Sequence, residues 1–500
     1  MKNKAFCAVL VLSVVFGVVQ SSAQTPAYHA IVLGLSDGRT NLQVEYPSGL
    51  NRWGQVIGTY GGGQSGGTHA VLWTPNSAND GFNSGTLYSL ESSHGFPAGT
   101  AGTWPTGLND RGQIAGTAYT PGKGDGNQQQ SWMWKPGPLN AVNGSVLNSG
   151  KGKAVTFPLL TIPSLGTEAE DSQVINNKGV IGASGINGRA LLWTPSTPNA
   201  LTGVWTYDPD NGHGPAAIND AGQIVGSTCA SQVWNGPYLH AGALPLLVTD
   251  VLTSPLWIPP NNGQQCVGGA GGVNANGDVA ISAVSSTVND IHAYLYKNGT
   301  ATDLTPEVNN GNTGQADAIN NYDQVVGFVT SDTRRASLLQ NGQVLDLNTL
   351  NDGTNGLFLR EAIAINDRGQ ILCLGLYPGG TGAPTLLTPA AIWIQPVTFA
   401  KGTLLHHGTT YTQTITVTNT GGNAIPGTVS IALDGLTSGA TVTNATGLTQ
   451  YAGPFGSPYV DVSASDLAPD ATTASFTLMF SYSGSGIKYA PRVLATAAPR

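Results

Sequence analysis

The densest run of acids in the chain is Glu168-Ala169-Glu170-Asp171, in a sequence that holds only six glutamates. If the segment is extended, Glu168 and Glu170 project to one face, as two carboxylates sharing acid–base work at a glycosidic bond must. No second acidic site stands paired with them in sequence, and a solvated loop also accounts for the run. Four of the eight histidines precede alanine: His29, His69, His240 and His292. Zinc needs its ligands in one tetrahedron. Residues that recur at the same place in separate repeats are held far apart, so these histidines read as framework. Asp110, Asp220 and Asp367 occupy one place in a recurring phrase. Each turn offers a single carboxylate, whereas a calcium loop gathers several oxygens within a few residues. These aspartates therefore read as turn formers. No Gly-x-Ser-x-Gly elbow, His-Glu-x-x-His pair or phosphate loop occurs, and a scattered Ser–His–Asp triad leaves no mark in sequence. No catalytic residue is assigned, and neither a cofactor nor a metal is expected.

Aromatic side chains offer binding rather than bond chemistry. Trp104, Trp205, Tyr207, Trp234, Tyr238 and Trp257 fall in the long stretches 76–106, 196–216 and 227–272 that interrupt the phrase. Exposed aromatics with Asn and Gln nearby suit stacking on sugar rings, and packing on their own strands is the alternative reading. Trp104, Trp205, Tyr207, Trp234 and Trp257 are the candidate ligand contacts.

The elements that position these residues follow from the phrase itself. It reads Leu-Asn-Asp-Arg-Gly-Gln-Ile-Ala-Gly from 108 and Ile-Asn-Asp-Ala-Gly-Gln-Ile-Val-Gly from 218. Its asparagine recurs seven times, at 51, 109, 176, 219, 274, 320 and 366. A period of this size means an array of one supersecondary unit, and four-stranded propeller blades run ~40–50 residues. The phrase is a hairpin, with Gly supplying the positive φ of its turn, so Gly112, Gly222 and Gly369 are predicted at positive φ. A third strand follows at 69–73, 131–134, 189–193 and 292–296, and a fourth at 85–90, 299–304 and 342–347. Three repeats depart from the phrase: Val180 and Asp278 replace Gln, and Asp323 replaces Gly. The last repeat lacks a fourth strand, and Tyr28–Leu33 is predicted to supply it and close the ring. The expected fold class is all-β, a seven-bladed β-propeller over 24–395 followed by an immunoglobulin-like β-sandwich over 396–500.

Asn-Asp-x-Gly-Gln-Ile-Val-Gly with a downstream His-Ala-x-Leu-Trp resembles the HAF repeat family of bacterial extracellular proteins, over residues 28–395. That resemblance implies secretion and a repeat fold and carries no established activity. After Pro396 the pattern changes to alternation, with Tyr411, Gln413, Ile415, Val417 and Asn419 on one side of a threonine-rich run. Val429, Ile431 and Leu433 alternate likewise, as do Phe476, Leu478 and Phe480. Period two in short runs is a sandwich signature. Thr-Val-Thr-Asn-Thr-Gly-Gly and the closing Tyr-Ala-Pro-Arg-Val-Leu resemble the immunoglobulin-like modules that trail many secreted bacterial proteins.

Lys2 and Lys4 precede an apolar run and Ser21-Ser22-Ala23, so residues 1–23 read as a secretory signal peptide. Elsewhere no segment is apolar enough to span a membrane. The net charge of −8 and only 10% charged residues argue against nucleic acid, which needs a basic face. The expected protein is a secreted monomer, extracellular, on the cell surface or periplasmic, that binds a glycan or protein without catalysis. The alternative is a propeller-fold polysaccharide hydrolase or lyase, which carboxylates converging on the axis would favour. Cys373 lies in a strand pattern and reads as a buried thiol, while Cys229 and Cys266 flank one insertion and are the better pair for a disulfide in an oxidising compartment. Intact-mass analysis of the secreted protein after thiol alkylation should show one free thiol. Three alkylated cysteines would rule the disulfide out.

Overall fold

The computed structural model describes residues 27–33, 46–61, 68–75, 85–90, 102–121, 127–136, most of 152–207 and 213–240, and, apart from short gaps, 252–256 and 269–500. The chain is all-β, built from many small antiparallel sheets. The one helix among the described residues is the four-residue turn Leu347–Leu350. No helix among them is long and apolar enough to cross a membrane.

Seven sheets follow one another, one for each phrase, with strands adjacent in chain order. They cover 46–89, 102–156, 171–207, 213–240, 269–303, 314–346 and 358–389, the fourth with three described strands. The seventh has only three strands of its own. Its fourth is Tyr28–Val32, which pairs with Gly382–Pro389 in the register Tyr28↔Pro389 to Val32↔Thr385. The strand-supply expectation is met at this edge. Low charge and abundant Gly and Thr explain the strand-rich fold locally, since short strands and tight turns suit them better than helices do.

Every phrase glycine proposed for a turn has positive φ: 74° at Gly112, 88° at Gly222 and 78° at Gly369. The first strand of each sheet carries a register slip just ahead of its asparagine, at 47/49, 105/107, 172/174, 215/217, 270/272, 316/318 and 362/364. A bulge sharpens twist and re-aims one side chain, and here it does so at the same place in all seven strands. Neighbouring sheets bury their apolar faces against each other. Ile57, Leu72, Ile114, Trp132 and Trp134 form one such core between the first and second sheets. Val56, Val71 and Trp73 meet Leu372 and Leu386 of the seventh in another.

Beyond 396 lie two further sheets. One contains 397–401, 405–407, 410–419, 441–442 and 476–481, and the other 429–434, 447–448, 458–463 and 490–494. Both contribute to one core, including Tyr411, Ile415, Val417, Ile431, Val460, Leu478 and Phe480. The predicted alternation is thereby realised as a buried face on each sheet. This region is anchored to the first by Ala391, Ile392, Ala432 and Leu494, by Ala495 N donating to Ala391 O at 2.9 Å, and by the edge of Tyr451 on Tyr28 at 6.0 Å.

Tyr28 is fully buried, and its hydroxyl finds no hydrogen-bond partner among the described residues. Burial pushes its ionisation far up. Truncation to Ala should therefore cost about 3–5 kcal/mol of stability. Tyr28→Phe, which removes only the unpaired hydroxyl, should not destabilise. Chemical denaturation of both variants checks this, and a Tyr28→Ala midpoint equal to wild type would show that the strand closes nothing.

Candidate functional site

The seven phrase asparagines are all buried, with 3–6% exposure, and they build the floor of a shared cavity. Asn109 shows the pattern. Its Oδ1 accepts from Arg111 N at 3.0 Å and Gln113 N at 2.9 Å, closing its own turn. Its Nδ2 donates to Gln113 Oε1 at 2.8 Å and to Asn176 O, in the next repeat, at 2.9 Å. All four hydrogen-bonding sites of the amide are used. The outward bond recurs without a break, from Asn51 to 109, 176, 219, 274, 320, 366 and back from Asn366 Nδ2 to Asn51 O at 2.9 Å. The phrase glutamine holds the asparagine on one side and reaches the third strand on the other, as Gln55 does to Thr74 and Gln370 to Thr388. Asp278 replaces it as acceptor, at 3.2 Å from Asn274 Nδ2. Val180 cannot, and Asn176 Nδ2 keeps only the bond to Asn219 O, while its Oδ1 still closes the turn.

The residue after each asparagine forms a second, incomplete ring. Backbone N–H groups of Arg52, Asp110, Asn177, Ala275 and Asn321 donate to the side-chain oxygens of Asp110, Asn177, Asp220, Asn321 and Asp367 respectively, at 2.7–2.9 Å. Asp110, Asp220 and Asp367 therefore stitch neighbouring repeats rather than capping their own turns, a correction to the sequence reading. The cavity they rim is about 220 Å³ and is walled by Leu108, Ile175 and their equivalents. Burial raises the affinity of the Asp110 carboxyl for its proton. The Arg52 backbone and guanidinium and the Asn177 amide oppose that shift, and Asp367 reinforces it.

Farther along the first strands the residue types no longer recur. On 102–108 the side chains of Trp104, Thr106 and Leu108 are less buried than their neighbours, so on this strand the positions five, three and one before the asparagine are the more open ones. Five before stand Tyr46, 66% exposed, Trp104, 39% exposed, Gln315 and Glu361. Three before stands Asp317, on the bulge of its strand. The asparagine bonds run 320, 366, 51, 109, so these residues belong to four successive repeats. Gln315 Nε2 donates to Asp317 Oδ1 at 2.6 Å, and the buried Oδ2 has no protein partner among the described residues. Glu361 is paired with Arg334 at 3.3 Å, whose guanidinium lies over Phe328. Burial raises the pKa of Asp317 to about 7. The Gln315 bond lowers it, Glu361 raises it and Arg334 lowers it.

The aromatic candidates lie on strands, not on the loops expected for them. Trp104 is on 102–108, Trp205 and Tyr207 on 203–207, and Trp234 and Tyr238 on 233–240. Trp205 is half-buried against Ala115, Met133 and Trp193, the packing alternative. Trp257, Cys266 and the side chains of Tyr207, Trp234 and Cys229 lie outside the described residues. So do Glu170 and the side chains of Glu168 and Asp171, whose backbones belong to different sheets. Among the histidines, His292 is locked between Asp303 at 2.7 Å and Val308 O at 2.9 Å, and His29 is paired with Asp352. Cys373 is a buried free thiol. No group of three or more metal-ligating side chains comes together among the described residues. Tyr46, Asp317 and Glu361 were missed in sequence, where their only signal is a fixed offset from the asparagine.

Two measurements follow from this geometry. Asn109→Ala should lose about 2–4 kcal/mol, and Asn176→Ala about 1 kcal/mol less, because Val180 offers no side-chain acceptor; equal losses in chemical denaturation would refute the glutamine's role. Between roughly pH 4 and 7 the folded protein keeps a proton on Asp317 that the unfolded chain has released, so stability falls as pH rises through that window. Asp317→Asn should flatten that fall, and unchanged pH dependence in thermal melts would refute it.

No protein-family model matches the chain, and no curated protein sequence does. Among solved structures, two glucose dehydrogenases are similar at 12% and 11% identity, covering 72% of this chain and all of theirs. Their TM-score of 0.28 is too low to carry an argument about fold or activity.

Proposed function

We propose that this chain is a secreted, non-enzymatic binding protein of the HAF-repeat type, with a signal peptide at 1–23. Residues 24–395 form a seven-bladed propeller and 396–500 an immunoglobulin-like sandwich that serves as spacer or adhesion unit. The closed relay of seven asparagines and the seventh sheet's use of the N-terminal strand support the ring. The two sheets sharing one core support the sandwich.

One observation carries the functional reading. The recurring residues are consumed by framework bonds, while the exposed aromatics Tyr46 and Trp104 stand at equivalent places on successive first strands. Two rings so placed suit stacking on a neutral glycan, and ligand contacts concentrate where a rigid scaffold presents variable residues. Contacts of this kind depend weakly on salt.

The pair Asp317 and Glu361 favours a second reading, a polysaccharide hydrolase. One carboxyl there holds its proton and the other is ion-paired, a division of labour seen in acid–base catalysis. Burial of Asp317 Oδ2 stands against direct contact with a substrate, so binding takes precedence.

A glycan array with the purified mature protein tests both readings. Binding that Trp104→Ala and Tyr46→Ala each weaken by roughly tenfold, the scale of one lost stacking contact, is the expected result. Reducing-sugar release that survives purification and disappears in Glu361→Gln would establish the hydrolase. An empty array would leave a protein partner.

A further inference from the structure

Two departures from the phrase converge on one side chain. The fifth repeat carries Asp278 in place of Gln and the sixth carries Asp323 in place of Gly. Lys297, from the third strand of the fifth sheet, brings its Nζ to 2.5 Å from Asp323 and 3.3 Å from Asp278. Asn274 Nδ2 donates to both carboxylates, at 3.2 Å to Asp278 and 3.0 Å to Asp323. Asp323 takes φ 60° where the other phrases take 74–88° with glycine, a conformation that disfavours a side chain. The turn itself does not call for this choice, because glycine serves in six other turns.

Lys297 and Asp323 open into a cleft of about 650 Å³. One wall is the fifth and sixth repeats and the other is the loop around 448–456 of the C-terminal region. The walls meet through Gln324 Nε2 to Gln450 O at 3.2 Å and through the Tyr322 and Phe455 rings, edge to face at 5.1 Å. Clefts of ~300–1,000 Å³ at the junction of two units are the usual seats of small ligands. Leu448, 57% exposed, and Tyr322, 38% exposed, give it apolar surface. Gln340, Asn341 and Gln450 give it amide and carbonyl groups. Its lining carries Lys297 against Asp303 and Asp323, a net charge of −1, which disfavours anions. Planar polar groups beside an aromatic edge match a polyhydroxylated ring.

We propose that this cleft is a second binding site, for a neutral oligosaccharide, built where the phrase is broken. It is separate from the Tyr46–Trp104 surface and stands without it. Lys297 and Asp323, holding each other in place, present a donor and an acceptor to vicinal hydroxyls, and Tyr322 lies beside the sugar face.

Calorimetric titration of the full mature protein with maltotriose, cellotriose, chitotriose and xylotriose tests the site. At least one should bind wild type and Trp104→Ala equally. It should bind Asp323→Gly, which restores the phrase and its turn, more weakly by roughly tenfold, as loss of a charge-assisted hydrogen bond gives. Asn341→Ala, at an exposed turn, should weaken it without touching the phrase. Failure of all four sugars to bind overturns the proposal. So does undiminished affinity in both cleft variants, or binding lost in Trp104→Ala, which would place the ligand on the Tyr46–Trp104 surface instead.

Discussion

The structure depends on one carboxamide used seven times. An asparagine amide has two donors and two acceptor sites, and here two acceptances close its own turn while one donation leaves for the next repeat. A buried amide left half-paired is costly. Each repeat therefore needs its neighbour to satisfy the group that defines it, and the last needs the first. No shorter side chain reaches both ways, and a carboxylate would lack the donor. The glutamine four residues on completes the set and ties the turn to the third strand, so turn, sheet and neighbouring sheet share one network.

That dependence explains what was legible in sequence and what was not. Asn219, Gly222 and Gln223 stand out because every repeat must solve the same geometric problem, and recurrence reveals it. The edge role of Tyr28–Val32 could be read because the last repeat was a strand short. Tyr46 and Asp317 carried no such sign. They stand at positions on the first strands where residue types are not shared between sheets, so repetition is silent about them. Trp205 was misplaced for a related reason: insertions of uneven length hide where a strand resumes, and its ring packs on Trp193's cluster rather than in a loop. The aspartates after the asparagine were read as local turn formers, but their oxygens face the neighbouring repeat's backbone. Sequence distance gave no hint of a partner 43 or 58 residues away.

The two ends of the first strands differ in chemical character. Around the asparagines the amide is matched within the phrase and to the next repeat, as at Asn109, and the side chains largely repeat. Toward Tyr46, Trp104 and Glu361 the types vary, and Asp317 Oδ2 finds no hydrogen-bond partner among the described residues. A scaffold fixed at one end leaves the other free to change with little effect on folding. The break in the phrase at Asp278 and Asp323 is the exception on the matched side, and it falls where the C-terminal region leans on the sheets.

The pairing of Tyr28–Val32 with 382–389 also dictates an order of events in time. Tyr28–Val32 must wait for nearly the whole repeat array before its partner exists, and the closing asparagine bond spans 315 residues. Contacts so distant in sequence are late and slow to form. Until then the seventh sheet has an open edge, a template for pairing with another chain. The first strand and the seventh sheet thus pair only after synthesis has passed the seventh phrase, and the most aggregation-prone moment lies just before that meeting.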